Sequence, residues 1–236
     1  MENLKPEKVL TAKELASYFD HTLLRANATV SEFKKLCDDS KRYGFCMVAI
    51  NPAPVKLCKT FLADSQVHVG AAIAFPLGQT TLEDKLSETR NAIKDGADEI
   101  DYVVNLTKLK AGETSYIEDE MSRITDICRN YGVVSKVIFE NCYLTEDEKK
   151  ILCHIATKVK PDFIKTSTGF GTGGATFEDV ALMKRETEGS GVKIKAAGGI
   201  RTLKTALEMI NLGVSRIGST SSVAIMEEYM ANSPLL

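Results

Sequence analysis

Two lysines stand where apolar runs give way to loops of small residues. Lys165 lies in DFIKTSTGF and Lys195 in KIKAAGG. Two ammonium groups held close together each disfavour the charge on the other, so one of the amines has a lowered pKa. A neutral amine can attack a carbonyl carbon and form a Schiff base, which then draws electrons from a neighbouring bond. The pair therefore predicts nucleophilic lysine chemistry on a carbonyl substrate.

Other ionisable side chains occur inside predicted strands, where an unpaired charge would be costly. They are Asp20 in FDHTLL, Glu99 and Asp101 in EIDYVV, Lys136 and Glu140 in KVIFE, and Lys193 in KIKAA. The two-residue period of a strand places Glu99 and Asp101 on one face, and it likewise pairs Lys136 with Glu140. We interpret Glu99, Lys136 and Lys193, which lie further from the strand ends, as salt-bridging residues that orient the strands.

Three glycine-containing loops follow the last predicted strands: TSTGFGTGGAT, AAGGIRT and GSTSS. Backbone amides in such loops can approach an anion closely, and the helix starts that follow favour negative charge. The last two loops predict a phosphate site at Gly198, Gly199, Gly218, Ser219, Thr220 and Ser221. The alternative is that all three loops are only tight turns.

Gly169, Gly171 and Gly174 also match the GxGxxG pattern of dinucleotide-binding folds. In those folds the pattern follows the first strand, and an acidic residue ends the next one. Here the pattern follows the sixth predicted strand, and the strand after it reads VKIKA. We therefore expect no nucleotide cofactor.

Short β-rich runs alternate along the chain with longer stretches of helical period. The eight candidate strands are Tyr18–Leu23, Phe45–Ile50, Val67–Ala74, Glu99–Val104, Val133–Glu140, Asp162–Thr166, Val192–Ala196 and Ser215–Gly218. Capping boxes that start helices are predicted at Thr29 with Glu32, Thr80 with Glu83, and Thr145 with Glu148. Helix ends are predicted at Gly44, Gly96, Gly132 and Gly213.

Eight strand–helix units in 236 residues average about 30 residues each, the size of a βα repeat. We predict an α/β chain that forms a single-domain (β/α)₈ TIM barrel over residues 1–236, with the first ~17 residues as an extra helical segment over one end. An open doubly wound sheet is the alternative. In a barrel, catalytic groups lie at the carboxyl ends of the strands, and phosphate commonly binds the loops after strands seven and eight.

Composition narrows the class of protein. Lys+Arg 30 and Asp+Glu 32 give a net charge of -2, so no basic field predicts a nucleic-acid partner. The start, MENLKPEKVL, is polar and no apolar stretch is long enough to cross a bilayer, so we expect no membrane association and a cytoplasmic location. The six cysteines and three histidines are scattered, so we expect reduced thiols and no metal.

Four motifs together resemble the deoxyribose-phosphate aldolase family. They are DHTLL at 20–24, DEIDYVVN at 98–105, FIKTSTGF at 163–170 and KAAGGIRT at 195–202, and the resemblance runs from Asp20 to about Ser222. It implies a class I aldolase on a TIM barrel that needs no metal or organic cofactor. The implied reaction is the reversible cleavage of 2-deoxy-D-ribose 5-phosphate to D-glyceraldehyde 3-phosphate and acetaldehyde, in deoxyribonucleotide catabolism. The implied partner is a phosphosugar, and a homodimer is compatible with the family.

The resemblance also implies roles for individual residues. Lys165 would be the Schiff-base nucleophile, Lys195 the ammonium that lowers its pKa, and Asp101 the carboxylate of a proton relay. Asp20 would orient the sugar hydroxyls or the lysine network. The residues implied to surround the substrate and its phosphate are Thr168, Gly169, Gly198, Gly199, Arg201, Gly218, Thr220 and Ser221.

The chain departs from the family at three places. Ala49 stands where the second strand often carries a cysteine, and Phe170 where some relatives have a lysine. The chain ends in NSPLL with Tyr229 seven residues from the terminus, so we assign it no part in the proton transfer that a C-terminal tyrosine assists in some members. A phosphosugar isomerase, another aldolase on the same barrel and a non-catalytic phosphosugar-binding protein stay open as alternatives.

Overall fold

Eight parallel strands close into a barrel in the computed structural model, which describes residues 10–232. The strands are β1 (Phe19–Leu23), β2 (Met47–Ile50), β3 (His68–Ile73), β4 (Glu99–Val103), β5 (Val134–Ile138), β6 (Phe163–Lys165), β7 (Lys193–Ala197) and β8 (Arg216–Ser219). Each strand pairs with its neighbours along the chain, and β1 also pairs with β8. This closure confirms the predicted TIM barrel and excludes the open sheet.

Helices surround the barrel and bury one face each. They are α1 (Ala12–Ala16), α2 (Val30–Tyr43), α3 (Val55–Phe61), α4 (Leu82–Lys94), α5 (Leu106–Lys110), α6 (Thr114–Asn130), α7 (Glu146–Val159), α8 (Phe177–Glu186), α9 (Leu203–Asn211) and α10 (Ser222–Asn232), with a 3₁₀ turn at Asn141–Tyr143. In α6, for example, Ile117, Met121, Ile124 and Cys128 are buried at helical spacing. These faces and the outward faces of the strands form the apolar core.

Two predicted capping boxes are present, Thr29 with Glu32 at the start of α2 and Thr145 with Glu148 at the start of α7. The third, Thr80 with Glu83, is wrong by one residue. Thr81 caps α4, because its backbone is extended (ψ 158) and its hydroxyl accepts a hydrogen bond from the Asp84 amide. All four glycines predicted to end helices have a positive φ.

The extra N-terminal segment lies over the amino ends of the strands. Helix α1 begins at a capping box of Thr11 with Glu14 and buries Leu15 and Ala16. A cavity of about 420 Å³ separates this segment from the starts of β6, β7 and β8. The Tyr229 hydroxyl donates to the Leu10 carbonyl, so α10 holds the segment from the side. Residues 1–9 of the predicted segment lie outside the described range, and the single-domain organisation of residues 1–236 stays a prediction.

Charged side chains occupy much of the barrel interior. They are Asp20, Glu99, Asp101, Lys136, Lys165, Lys195 and Arg216, all buried. Met47 lies among them, with its sulfur 3.5 Å from Lys136 Nζ. A Cβ on Gly70 would come 2.3 Å from that sulfur, so glycine is needed on β3 for Met47 to fit. The interior is therefore packed, but its packing joins charges.

Candidate active site

Lys165 and Lys195 are direct neighbours across the β6–β7 ladder. The strand register pairs their Cα atoms, so both side chains point the same way into the barrel. Lys165 Nζ donates to Asp101 Oδ2 at 2.9 Å, and Lys195 Nζ donates to the same oxygen at 2.7 Å. The two lysines that the sequence singled out thus share one carboxylate oxygen.

A third lysine holds the other oxygen of Asp101. Lys136, paired with Asp101 across the β4–β5 ladder, donates to Oδ1 at 2.7 Å. Burial opposes the ionisation of Asp101, but Lys136, Lys165 and Lys195 outweigh it and hold its pKa well below the usual value. Asp101 is therefore a carboxylate anion at any physiological pH.

A second row of ion pairs lies towards the amino ends of the strands. Asp20 forms an ion pair with Lys195 Nζ at 2.5 Å and accepts a hydrogen bond from Arg216 Nε at 2.6 Å. Arg216 Nη2 reaches both oxygens of Glu99, at 2.8 and 2.9 Å, and Lys136 also pairs with Glu99. The network thus runs continuously from the floor of the barrel to Lys165.

The charges of this network do not cancel. Among the described residues it contains three carboxylates, three lysines and one arginine, and the His68 ring also contacts Glu99 Oε1 at 2.8 Å. Lys136 is held protonated, since Asp101 and Glu99 overcome the effect of its burial and raise its pKa. Burial lowers the pKa of Lys165 to about 8; the attraction of Asp101 opposes the change and the repulsion of Lys195 adds to it. A pKa of about 8 leaves part of the Lys165 amine unprotonated near neutral pH.

A cavity of about 690 Å³ opens above the two lysines at the carboxyl ends of the strands. Lys165 and Lys195 line it, together with the predicted residues Thr168, Gly169, Gly198, Gly199, Arg201, Gly218 and Thr220. Within the described residues, the amides of Gly169, Gly198, Gly199 and Thr220 donate no hydrogen bond to the protein. Free amides on three adjacent loops are suited to an anion.

Three predicted site residues lie outside the cavity wall. Asp20 and Asp101 are buried below it, and Asp20 contacts Lys195 and Arg216 but does not line the cavity. Ser221 does not line the cavity either, and its amide donates to Ser219 Oγ at 2.9 Å. Its placement at the start of α10 leaves Thr220 as the exposed residue of that loop.

The salt-bridge interpretation fits two of its three residues. Glu99 and Lys136 form buried ion pairs, as predicted. Lys193 differs: it is exposed at the start of β7, has no ion pair with a described residue, and its ammonium lies 5.5 Å from the Phe163 ring centroid. A lysine at the first position of a strand can reach solvent at the barrel end.

Sequence reasoning gave no role to His21. It lines the cavity between Asp20 and Thr22, and burial lowers its pKa to about 4, so the ring is neutral at physiological pH. The only sequence signal for His21 was the two-residue period of β1, which places neighbouring residues on opposite faces and so gives His21 different surroundings from Asp20.

The three departures from the family have clear positions. Phe170 lines the cavity mouth and packs edge-to-face against Phe75, with ring centroids 5.4 Å apart. Ala49 lines the cavity wall. Tyr229 contacts the N-terminal segment at Leu10, on the side of the barrel opposite the cavity. Gly174, the last glycine of the GxGxxG match, is needed for packing, because a Cβ there would come 2.2 Å from the Gly198 carbonyl oxygen.

Among the described residues, no group of three His, Cys, Asp or Glu side chains is arranged to hold a metal ion. No helix of residues 10–232 has the length and apolar character to cross a bilayer.

Comparison with known proteins identifies relatives over nearly the whole chain. The chain is 54% identical to the deoxyribose-phosphate aldolase of Lactobacillus acidophilus, over 92% of this chain and 91% of that protein. It is 50% identical to the enzyme of the same name from Bacteroides thetaiotaomicron, over 93% and 92%.

Solved structures agree with the sequence comparison. A putative deoxyribose-phosphate aldolase from Coccidioides immitis superposes with a TM-score of 0.90 at 32% identity, over 94% of this chain and 87% of that one. The tetrameric deoxyribose phosphate aldolase from Aeropyrum pernix gives 0.87 at 30%, with 94% of each chain covered. The model of the DeoC/LacD family aldolases matches residues 14–219. The chain therefore belongs to the DeoC/LacD aldolase family.

Proposed function

We propose that this chain is a class I aldolase that reversibly cleaves 2-deoxy-D-ribose 5-phosphate to D-glyceraldehyde 3-phosphate and acetaldehyde. The observation that carries the proposal is the setting of Lys165, a lysine with a pKa of about 8 at the base of a cavity edged by free amides. A lysine with an ordinary pKa would be almost fully protonated at pH 7 and a poor nucleophile. The named relatives at about half identity support the same activity.

The chemistry begins at Lys165 Nζ. As the free amine it attacks C1 of the open-chain sugar, and loss of water gives an iminium ion. The two-carbon product fixes C2–C3 as the bond that breaks, with its electrons moving into the iminium to form an enamine. The C3 hydroxyl loses its proton and becomes the new aldehyde. Protonation of the enamine at C2 and hydrolysis release acetaldehyde and restore the amine.

Proton transfer is assigned to Asp101 with Lys195. Asp101 lies below the cavity wall, so it reaches the C3 hydroxyl proton through a water molecule. Its pKa is held too low for a strong base, but its Oδ2 joins Lys165 to Lys195. A proton leaving one lysine can therefore be accepted by Asp101 Oδ2, which is also within hydrogen-bond distance of the other lysine.

The phosphate is assigned to the three loops after β6, β7 and β8. The free amides of Gly169, Gly198, Gly199 and Thr220 would bind its oxygens, with Arg201 as the cation at the rim. Binding energy at this remote group positions C1 over Lys165. Because Phe170 provides no charge at the mouth, backbone donors have the main share.

We also propose that the chain forms a homodimer and is located in the cytoplasm. The family resemblance supports self-association, and sedimentation equilibrium would measure it. All six cysteines are free in the structure, which fits a reducing compartment. Thiol labelling of the protein in intact cells, before any oxidation, would test the location.

Borohydride trapping tests the function. Incubation with 2-deoxyribose 5-phosphate and sodium borohydride should inactivate the protein and leave a reduced adduct on Lys165, located by peptide mass spectrometry. Without borohydride, a coupled assay should detect glyceraldehyde 3-phosphate. An adduct on Lys195 or Lys136 would reverse the assignment. Thermal stabilisation by the phosphosugar with neither turnover nor adduct would favour a binding protein instead.

A further inference from the structure

Glu140 is a buried carboxylate that the proposed mechanism does not use. It follows β5, its side chain is 2% exposed, and it forms no ion pair with any described residue. Its backbone has φ 57 and ψ 59, a left-handed conformation that residues other than glycine rarely adopt. A buried charge without a cation, on a strained backbone, marks a position kept for a purpose other than packing.

Both carboxylate oxygens of Glu140 bind the loop after β6. Oε1 accepts from the Thr168 amide at 3.1 Å, and Oε2 accepts from the Thr168 hydroxyl. That hydroxyl in turn accepts from the Phe170 amide at 3.0 Å. Glu140 thus fixes the Thr168 amide directly and the Phe170 amide through the Thr168 hydroxyl. The amide between them, at Gly169, has no protein acceptor among the described residues.

The same loop is packed tightly on its other sides. A Cβ on Gly171 would lie 2.7 Å from Cys142 Sγ and 3.2 Å from Glu140 Cδ. The Ala175 amide donates to the carbonyls of Ala197 and Gly198, at 3.1 Å each. Residues 168–175 are therefore held between Glu140 and the loop after β7.

We propose that Glu140 is a positioning residue for phosphate recognition: by fixing Thr168 and Phe170 it leaves the Gly169 amide free and aimed at the phosphate of the substrate. The inference rests on the proposed function, since it assigns Gly169 to the substrate phosphate. Glu140 touches neither the substrate nor the reacting atoms and acts through the loop.

Charge and position predict opposite effects of Glu140→Gln. Loss of a negative charge near an anion site would by itself strengthen phosphate binding. Loss of position would weaken it, because only one of the two terminal atoms of glutamine is an acceptor, so either the Thr168 amide or the Thr168 hydroxyl loses its acceptor. The sign of the change therefore separates a positioning role from a purely electrostatic one.

The experiment compares substrates with and without phosphate. For Glu140→Gln, kcat/KM with 2-deoxyribose 5-phosphate should fall about tenfold, mainly through KM, and the inhibition constant of inorganic phosphate should rise by a similar factor. Turnover of unphosphorylated 2-deoxyribose and borohydride trapping of acetaldehyde on Lys165 should stay within about twofold. Equal losses on both sugars, unchanged constants or tighter phosphate binding would each overturn the proposal.

Matched variants protect the test against misfolding. Glu88→Gln changes the same kind of contact, a carboxylate on the Ala74 amide after β3 (2.7 Å), and should alter none of these constants. Thr168→Val should reproduce the loss, and Thr168→Ser, which keeps the hydroxyl, should restore phosphate binding.

If wild type cleaves no phosphosugar but phosphate still stabilises it thermally, and Glu140→Gln weakens that effect, the proposed function fails and the positioning role stands. If phosphate does not bind wild type at all, the positioning role fails.

Discussion

Replacing Lys195 with methionine should change the pH at which Lys165 becomes nucleophilic. The two amines lie 2.9 and 2.7 Å from the same oxygen of Asp101, so their nitrogens are at most about 6 Å apart. At an effective dielectric constant of about 20, two unit charges at that separation repel by about 3 kcal/mol, or about two pKa units. Removing the repulsion should raise the pKa of Lys165 from about 8 towards about 10.

This change in pKa has a calculable effect on rate. At pH 7 the free-amine fraction of Lys165 should fall from about one tenth to about one thousandth, so Schiff-base formation should slow about 100-fold. Because the amine forms as pH rises, the variant should recover near pH 10. The assay is the rate of borohydride trapping of acetaldehyde on Lys165 between pH 6 and 10.5, with circular dichroism at each pH to confirm folding.

Lys193→Met provides the control, since it is the same substitution on the same strand at an exposed side chain. It should leave the trapping profile unchanged. A Lys195→Met profile reduced by the same factor at every pH would mean that Lys195 acts in the chemistry and not through the pKa of Lys165. A variant that traps acetaldehyde at the wild-type rate at pH 7 would refute the electrostatic reasoning altogether.

Three other substitutions test separate parts of the site. Asp101→Asn should lower kcat at least about 100-fold in steady-state assays while KM changes less than about threefold, because Asp101 lies below the cavity wall. Lys165→Met should raise the free energy of unfolding by about 1–3 kcal/mol in urea unfolding at pH 6. The pKa of Lys165 in the folded protein, about 8, lies below its value in the unfolded chain, so the protonated lysine destabilises the fold. This destabilisation is complete below pH 8 and disappears as the pH rises towards 10.5, and so should the effect of the substitution. Gly174→Ala, whose Cβ would meet the Gly198 carbonyl at 2.2 Å, should raise KM for the phosphosugar about tenfold while acetaldehyde trapping on Lys165 is unaffected.

The sequence predicted those features that depend on local pattern or on strand order. The period of apolar residues and the glycine stops predicted eight strand–helix units, whose number and length favoured a closed barrel over an open sheet. Lys165 and Lys195 could be paired because each stands at the same point, the end of a strand before a small-residue loop. Strand register then places them side by side.

Features that depend on three-dimensional packing could not be predicted from the sequence. The Lys136 contact with Asp101 requires the register of β4 with β5, which no single segment specifies. Thr80 and Thr81 are equally plausible caps by residue type, and only the backbone at Thr81 decides between them. Lys193 and Lys195 share a face, but one lies at the solvent end and the other in the interior.

The β6–β7 pair connects the proposed nucleophile with the proposed phosphate site through one structural relation. Lys165, the proposed nucleophile, is four residues before Gly169, and its neighbour Lys195 is three residues before Gly198. Because the register sets Lys165 opposite Lys195, the free amides of both loops stand at a fixed distance from the reacting nitrogen. A slip of one residue would turn one lysine out of the barrel and move its loop along the strand. Under the proposed function, the pairing that adds the repulsion of Lys195 to the burial of Lys165 therefore also sets the length of substrate, from carbonyl to phosphate, that the cavity accepts.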